Sequence, residues 1–200
     1  SHDKAIWLHV LASACKKYGL KRVLDYGGGV GGPCLYLASR GIQCAYADVE
    51  GKTFEYARWR FQRTGFRIPM FNVLEGLPGE RYDAVITWDV LEHLFDLEGA
   101  LRGIAGLIRR GGWLLSKSTF APIEGHHLHI HLAKHACYQN IGMFNQLLEG
   151  MGFRYVGQLK PNRISRALRT FGHRSAVAGV RISPRLKHGG NFLVHERVEE

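Results

Sequence analysis

The stretch that decides the fold is Val23-Leu24-Asp25-Tyr26-Gly27-Gly28-Gly29-Val30-Gly31-Gly32. The apolar residues at its start predict a short strand over 22–25, and Pro33 after it predicts the first turn of a helix. Between strand and helix, five of six positions are glycine, so the backbone can approach a ligand without interference from a Cβ atom. The free N–H groups at the helix start favour a carboxylate or a phosphate. We therefore predict a ligand-binding loop at this junction.

The sequence outside this loop alternates between strand and helix patterns. Helices are predicted at 4–18, 33–40, 52–64, 97–108 (ended by Gly111 and Gly112) and 139–150. Further strands are predicted at 43–47, 67–73, 82–88, 113–119, 153–159 and 190–197. This alternation indicates a largely parallel sheet covered by helices on both faces. No helix long enough for a parallel crossover is predicted between the last two strands, so the final strand should be antiparallel. We expect one α/β domain over 1–200.

Composition narrows the class of protein. The 200 residues include 46% hydrophobic and 22% charged residues, which is typical of one globular domain. No apolar run approaches the ~18 residues of a membrane span, and the start lacks a signal-peptide pattern. The four cysteines are scattered without a Cys-x-x-Cys pair. This spacing argues against a disulfide framework and predicts a cytoplasmic location.

The identity of the ligand depends on two carboxylates. The pattern Gly27-x-Gly29-x-x-Gly32 also fits the dinucleotide fingerprint, and Asp48, at the end of the second strand, could accept the ribose hydroxyls of either ligand. Asp25 stands two residues before the first glycine, where dinucleotide enzymes usually carry an apolar residue. A carboxylate there suits the ammonium group of S-adenosyl-L-methionine (SAM) better than a pyrophosphate. SAM is therefore favoured, and a nicotinamide-dependent oxidoreductase is a less favoured alternative.

Several motifs in this order resemble those of one enzyme superfamily. The glycine loop resembles motif I of class I SAM-dependent methyltransferases, and 83–94 resembles their fourth motif in its Asp-Val-Leu-Glu-His-Leu form. The segment 127–153 resembles the stretch after their fifth strand. The resemblance implies a Rossmann-like, doubly wound, seven-stranded and mostly parallel sheet in three layers. Its strand order would be 3-2-1-4-5-7-6, with strand 7 antiparallel. It also implies that SAM is the cofactor and S-adenosyl-L-homocysteine the product.

The same resemblance implies a set of cofactor-binding residues at the strand ends. They are Asp25, Tyr26, Gly27, Gly28, Gly29, Asp48, Val49, Asn72, Val73, Asp89 and Val90. Asp25 and two of the glycines would line the methionine and ribose portion, Asp48 would hold the ribose hydroxyls, and Asp89 would border the sulfonium. Val49 would flank the adenine. Asn72 stands where the family often has an acidic residue for the adenine amino group, and Gly28 replaces a common Cys or Ser.

A histidine cluster follows the fifth predicted strand. It comprises His126, His127, His129, His131 and His135. In an extended segment His127, His129 and His131 would share one face, beside the crevice where open α/β sheets bind ligands. His127 and His129 are therefore candidate catalytic bases that would take a proton from the acceptor. The alternative is a polar, half-exposed stretch whose histidines pair with nearby carbonyls.

A divalent metal is an open alternative for the same region. On a helical turn Asp89, Glu92 and His93 would share a face, and a histidine from 127–131 could complete a ligand set. This pattern resembles the Glu-x-x-Glu-His arrangement of small-RNA 2′-O-methyltransferases and ubiquinone-pathway O-methyltransferases. In many metal-free relatives the same Glu and His are structural.

The net charge of +10 is concentrated near the C-terminus. No acidic residue occurs between Glu149 and Glu196, and a basic insertion is predicted at 161–188. Its cations are Arg163, Arg166, Arg169, Arg174, Arg181, Arg185 and Lys187. This charge suits an anionic acceptor or is simply a solvated surface. We expect methyl transfer to an O or N atom of a small, anionic acceptor. An RNA-directed methyltransferase and a non-catalytic binding protein are the alternatives.

Overall fold

The computed structural model describes residues 2–77, 79–120, 133–161, 180–183 and 191–198. Within these ranges, eight strands form one sheet of order β3-β2-β1-β4-β5-β8-β6-β7. The strands are β1 Arg22–Tyr26, β2 Gln43–Asp48, β3 Met70–Asn72, β4 Tyr82–Trp88, β5 Ile108–Lys117, β6 Phe153–Pro161, β7 Val180–Ser183 and β8 Phe192–Arg197. β1 to β5 are parallel, whereas β8 is antiparallel to both β5 and β6. The predicted order and the antiparallel final strand are confirmed.

Helices cover both faces of this sheet. They are α1 His2–Tyr18, α2 Gly32–Ala38, α3 Lys52–Thr64, α4 Leu97–Leu107 and α5 Ile141–Glu149, with 3₁₀ turns at Leu91–His93 and Ala133–Gln139. Side chains of α1, α2 and α3 pack on one face of the sheet, and those of α4 and α5 on the other. Adjacent strand residues such as Val23 and Leu24 belong to opposite cores, as expected from the two-residue period of a strand. No described helix has the length and apolar character needed to cross a bilayer.

Three features of the fold differ most from the sequence prediction. Gly111 and Gly112 do not end the fourth helix, because Ile108 is already extended and pairs with Tyr82, so the glycines lie inside β5. A Cβ at Gly112 would lie 2.8 Å from the carbonyl oxygen of Arg109, so glycine is needed there for close backbone packing. The third strand is limited to 70–72. The sequence also missed β7, which pairs antiparallel with β6 from inside the predicted basic insertion.

The topology places the ends of the parallel strands at one edge. β1 lies between β2 and β4, so the glycine loop after Tyr26 emerges between the ends of those two strands. Tyr26 pairs with Ala47 on one side and Thr87 on the other. Ligands of open α/β sheets bind at the carboxyl ends of the strands where the strand order reverses, and here that point is the glycine loop.

Candidate active site

The glycine loop is held in a conformation that few other residues could adopt. Gly27, Gly29 and Gly31 have φ values of 70°, 53° and 72°, in the left-handed region that glycine enters without a Cβ penalty. The Gly27 N–H donates to the carbonyl oxygen of Ala47 at 2.7 Å. A Cβ at Gly27 would lie 2.4 Å from a methyl carbon of Val90. The loop therefore packs directly against the segment after β4, which brings two predicted parts of the site together.

Asp48 ties the loop to the end of β2. Its Oδ2 accepts a hydrogen bond from the Gly29 N–H at 2.7 Å, and its Oδ1 accepts one from the Val49 N–H at 2.7 Å. The carboxylate is only partly buried. It therefore keeps lone pairs that can accept further hydrogen bonds from a ligand lying over the loop.

Tyr46 is a site residue that the sequence analysis missed. The side chain is fully buried, and its hydroxyl donates to the Gly29 carbonyl oxygen at 2.7 Å and lies 3.3 Å from Oδ2 of Asp48. A Cβ at Gly28 would lie 2.7 Å from two carbons of the Tyr46 ring. The Tyr46 ring thus fills the space that a Cys or Ser side chain at position 28 would need, which accounts for the glycine.

This contact predicts that Gly28→Ser destabilises the fold. The new Cβ would also lie 2.8 Å from Oδ2 of Asp25, and a buried tyrosine ring cannot move aside cheaply, so we expect a loss of about 1–3 kcal/mol. The measurement is urea unfolding of the ligand-free protein. Gly32→Ser is the matched control, because a Cβ at Gly32 meets nothing within 4 Å. Equal stability of the two variants would refute the steric explanation.

Asp25 is a buried carboxylate in an apolar setting. It is 2% exposed, and its Oδ2 has no hydrogen-bond partner among the described residues. Burial is the main cause that raises the pKa of Asp25, hydrogen bonds from Cys34 lower it, and the nearby charge of Asp48 raises it; the net result is a pKa of about 7. An unpartnered buried carboxylate oxygen is costly, and a cationic ligand group would offset that cost.

The ends of β2 and β3 place a second group of predicted residues side by side. Asp48 and Asn72 are register partners, and the Val73 N–H donates to the Asp48 carbonyl oxygen at 3.0 Å. The Asn72 side chain accepts a hydrogen bond from the Leu74 N–H at 3.1 Å. Leu74 is 76% exposed and Val49 is 49% exposed. Val49 directly follows β2, and Leu74 lies two residues after the end of β3, so each strand end carries an exposed aliphatic side chain of the kind on which an adenine ring packs. Leu74 was not predicted from the sequence.

Asp89 lies at the end of β4 with a strained backbone. Among the described non-glycine residues, it alone has a positive φ, of 54°, a conformation that persists where the surroundings enforce it. Its N–H donates to the Lys117 carbonyl oxygen at 2.8 Å, and its Oδ1 lies 3.8 Å from Lys117 Nζ. The carboxylate is therefore presented at the strand ends, beside Val90 and the glycine loop.

Glu92 and Asp89 occupy different environments. The helical turn expected to align them starts only at Leu91, after the left-handed Asp89. Glu92 is 2% exposed and its Oε1 accepts from the Thr119 N–H at 3.1 Å, whereas the Asp89 side chain is 47% exposed. Within the described ranges, no group of three His, Cys, Asp or Glu could hold a metal ion. Because 121–132 lie outside the described residues, a metal completed by one of their histidines stays a prediction.

One residue of the histidine cluster is described. His135 is buried, and its Nε2 lies 2.8 Å from the carbonyl oxygen of Leu94, so it anchors the Ala133–Gln139 turn to the segment before α4. His126, His127, His129 and His131 lie outside the described residues. The catalytic assignments to His127 and His129 therefore stay predictions.

The comparisons with known proteins agree with this geometry. A family model described as a methyltransferase domain matches residues 5–158. The chain belongs to this methyltransferase-domain family. The resemblance to class I SAM-dependent methyltransferases, inferred from the glycine loop and the motif after β4, is thereby confirmed.

Individual relatives are about a third identical to this chain over the aligned segments. A ubiquinone biosynthesis O-methyltransferase of Methylocella silvestris is 34% identical over 98 residues, covering 48% of this chain and 38% of that protein. The enzyme of the same name from Chromobacterium violaceum is 29% identical over 156 residues, covering 76% of this chain and 64% of that protein. The chain thus spans less than two thirds of either relative.

A solved structure supports the fold independently. The magnesium protoporphyrin IX methyltransferase of Synechocystis PCC 6803, crystallised with bound SAM, superposes with a TM-score of 0.59 at 20% identity. The match covers 98% of this chain and 79% of that protein. At this identity the likeness concerns the fold alone.

Proposed function

We propose that this chain is a SAM-dependent methyltransferase that transfers the methyl group to an oxygen or nitrogen atom of a small acceptor. The observation that carries the proposal is the pairing of Asp48 with the glycine loop. A carboxylate at the end of β2 accepts a hydrogen bond from the Gly29 N–H, in a loop where Gly27, Gly29 and Gly31 have positive φ values. Membership of the methyltransferase-domain family and the chemistry of the neighbouring side chains support the same conclusion.

The residues fit SAM group by group. The unpartnered, buried Oδ2 of Asp25 suits the ammonium group of the methionine end. Asp48 would accept hydrogen bonds from the ribose hydroxyls, and Val49 with Leu74 would enclose the adenine. Gly27 and Gly28, with Tyr26, Val73 and Val90 around them, would complete the wall of the site.

In this reaction the protein does not need to form a covalent bond with the cofactor or the acceptor. The bound cofactor supplies an electrophilic methyl group, and the acceptor atom displaces it in line. The protein therefore gains rate by aligning the reactants and by accepting the acceptor's proton. We assign proton transfer to His127 or His129, which follow β5 in the sequence. Glu92 holds the first residues after β5 in place, because its Oε1 accepts a hydrogen bond from the Thr119 N–H.

The oxidoreductase alternative fits the described residues less well. A dinucleotide would bring its pyrophosphate near the buried carboxylate of Asp25, whose Oδ2 has no hydrogen-bond partner among the described residues, and the like charges would repel. An RNA acceptor would depend on the basic insertion at 161–188, most of which lies outside the described residues, so this alternative stays a prediction. The described cysteines are free thiols, which supports a reducing compartment and hence a cytoplasmic enzyme.

Calorimetric titration with S-adenosylhomocysteine, SAM and NAD tests the proposed cofactor. We expect both sulfur ligands to bind with similar affinity, because both carry the ammonium and ribose groups that Asp25 and Asp48 would contact. NAD should not bind detectably at the same concentrations. Binding of NAD without any response to the sulfur ligands would reject the methyltransferase and support the oxidoreductase.

A further inference from the structure

Two lysine side chains converge on one indole ring beside the site. The Nζ of Lys117, the last residue of β5, lies 5.8 Å from the ring centroid of Trp88, the last residue of β4. The Nζ of Lys4, in the first turn of α1, lies 5.9 Å from the same centroid. The two lysines are 113 residues apart in the sequence, so the fold alone brings them together.

The ring that they share is fixed in place. Trp88 meets the ring of Phe192 edge-on, with centroids 5.3 Å apart, and Trp7 packs edge-on against the same phenylalanine at 5.6 Å. Trp88 is only partly buried. A rigid, partly exposed indole can bind a planar group as well as cations.

The charges of this cluster are incompletely balanced. Lys117 has a carboxylate neighbour in Asp89, whose Oδ1 lies 3.8 Å from its Nζ, and its side chain is 19% exposed. Lys4 has no carboxylate partner among the described side chains. Two ammonium groups at 5.9 Å and 5.8 Å from one ring centroid, with one neighbouring carboxylate, leave a local excess of positive charge that a bound anion would offset.

The position of the cluster points to the methyl acceptor. β5 is separated from the glycine loop of β1 by β4, so Lys117 lies on the far side of Asp89 from the proposed cofactor. An acceptor must lie next to the methyl group and away from the adenosine. The end of β4 and β5 satisfies that condition, and α1 borders it.

We propose that Lys4, Lys117 and Trp88 form a subsite for an anionic, planar methyl acceptor, with the two ammonium groups holding its carboxylate or phosphate. This inference rests on the proposed function, since it places the subsite relative to the cofactor. It assigns anion recognition to residues far from the basic insertion at 161–188.

Benzoate, phenyl phosphate and the neutral isostere benzamide are suitable probes. Each is titrated calorimetrically into the protein saturated with S-adenosylhomocysteine. We expect benzoate or phenyl phosphate to bind at least tenfold more tightly than benzamide, and the better of the two identifies the anion. Lys117→Met and Lys4→Met should each weaken binding of that anion at least fivefold and leave benzamide unaffected. Lys21→Met is the control, because Lys21 is exposed beside the start of β1, at the opposite edge.

Two results would overturn the assignment. Equal binding of the anions and benzamide would show that the cluster does not select charge. A loss of S-adenosylhomocysteine affinity equal to the loss of anion affinity in the lysine variants would assign the lysines to the methionine carboxylate instead. If the parent protein does not bind S-adenosylhomocysteine at all, the proposed function fails, and the same anion titrations on the ligand-free protein still test the cluster.

Discussion

Replacing Asp48 with alanine should weaken S-adenosylhomocysteine binding by about 3 kcal/mol, roughly a hundredfold. The variant would lose the acceptor for the ribose hydroxyls, and hydrogen bonds to a charged group are stronger than those between neutral groups. It would also release the Gly29 N–H, which now donates to Oδ2 of Asp48 at 2.7 Å. The loop would then have to be ordered by the ligand itself. Isothermal calorimetry at constant pH and salt measures the change directly.

Glu50→Gln provides the matched control for this experiment. Glu50 is an exposed carboxylate two residues away, so its neutralisation changes the local charge by the same amount without removing a contact to the loop. We expect less than a threefold effect from it, because exposed charges are screened by salt. Asp48→Asn should fall between the two, since its amide oxygen can still accept one hydrogen bond. Comparable losses from Glu50→Gln and Asp48→Ala would mean that only bulk charge matters.

The order of the sheet was predictable because strong local signals agree with the tertiary structure. α3 and β4 begin and end at the predicted residues, Lys52–Thr64 and Tyr82–Trp88. The helix ends at Gly65 with a φ of 72°, the left-handed conformation for which glycine is the usual residue. Such positions need no knowledge of distant partners.

The element boundaries that were predicted wrongly depend on pairing with distant strands. Ile108 is extended because it pairs with Tyr82 across a bulge, and nothing in its own sequence distinguishes it from a last helical residue. β7 exists through its pairing with β6, within a segment whose alternation is too short to predict a strand. Pairing between strands far apart in the chain overrides local preference in both cases.

In the site, too, some contacts could be predicted from the sequence and others could not. Asp48 and the glycine loop could be placed together because adjacent parallel strands end at one edge. The role of Tyr46 could not, because it depends on a side chain that reaches across from β2 into the space above Gly28. The burial of Glu92 could not be predicted either. A helical turn was expected to place Asp89 and Glu92 on one face, but the left-handed backbone of Asp89 interrupts that turn.

A second large effect is expected from pH acting on Asp25. The carboxylate must be ionised to bind an ammonium group, and burial raises the pKa of Asp25 to about 7. Affinity for S-adenosylhomocysteine should therefore fall nearly tenfold for each pH unit below 7 and be flat above about pH 8. Asp25→Asn should bind weakly with no such pH dependence. A wild-type affinity that does not change between pH 5.5 and 8 would remove Asp25 from the cofactor site.

The stability of the ligand-free protein should change in the opposite direction. The pKa of Asp25 is higher in the folded chain than in the unfolded chain, so the folded state binds the proton more tightly. This contribution to stability is fully present below pH 4 and is lost as the pH rises to about 7. Urea unfolding at pH 5 and at pH 8 should show the wild type losing roughly 2–3 kcal/mol relative to Asp25→Asn over that interval, since each pKa unit is worth about 1.4 kcal/mol. The site would thus keep a carboxylate that destabilises the empty fold at neutral pH, because the same carboxylate binds the cation of the ligand. A constant difference between the two proteins at both pH values would contradict the burial of an ionisable Asp25.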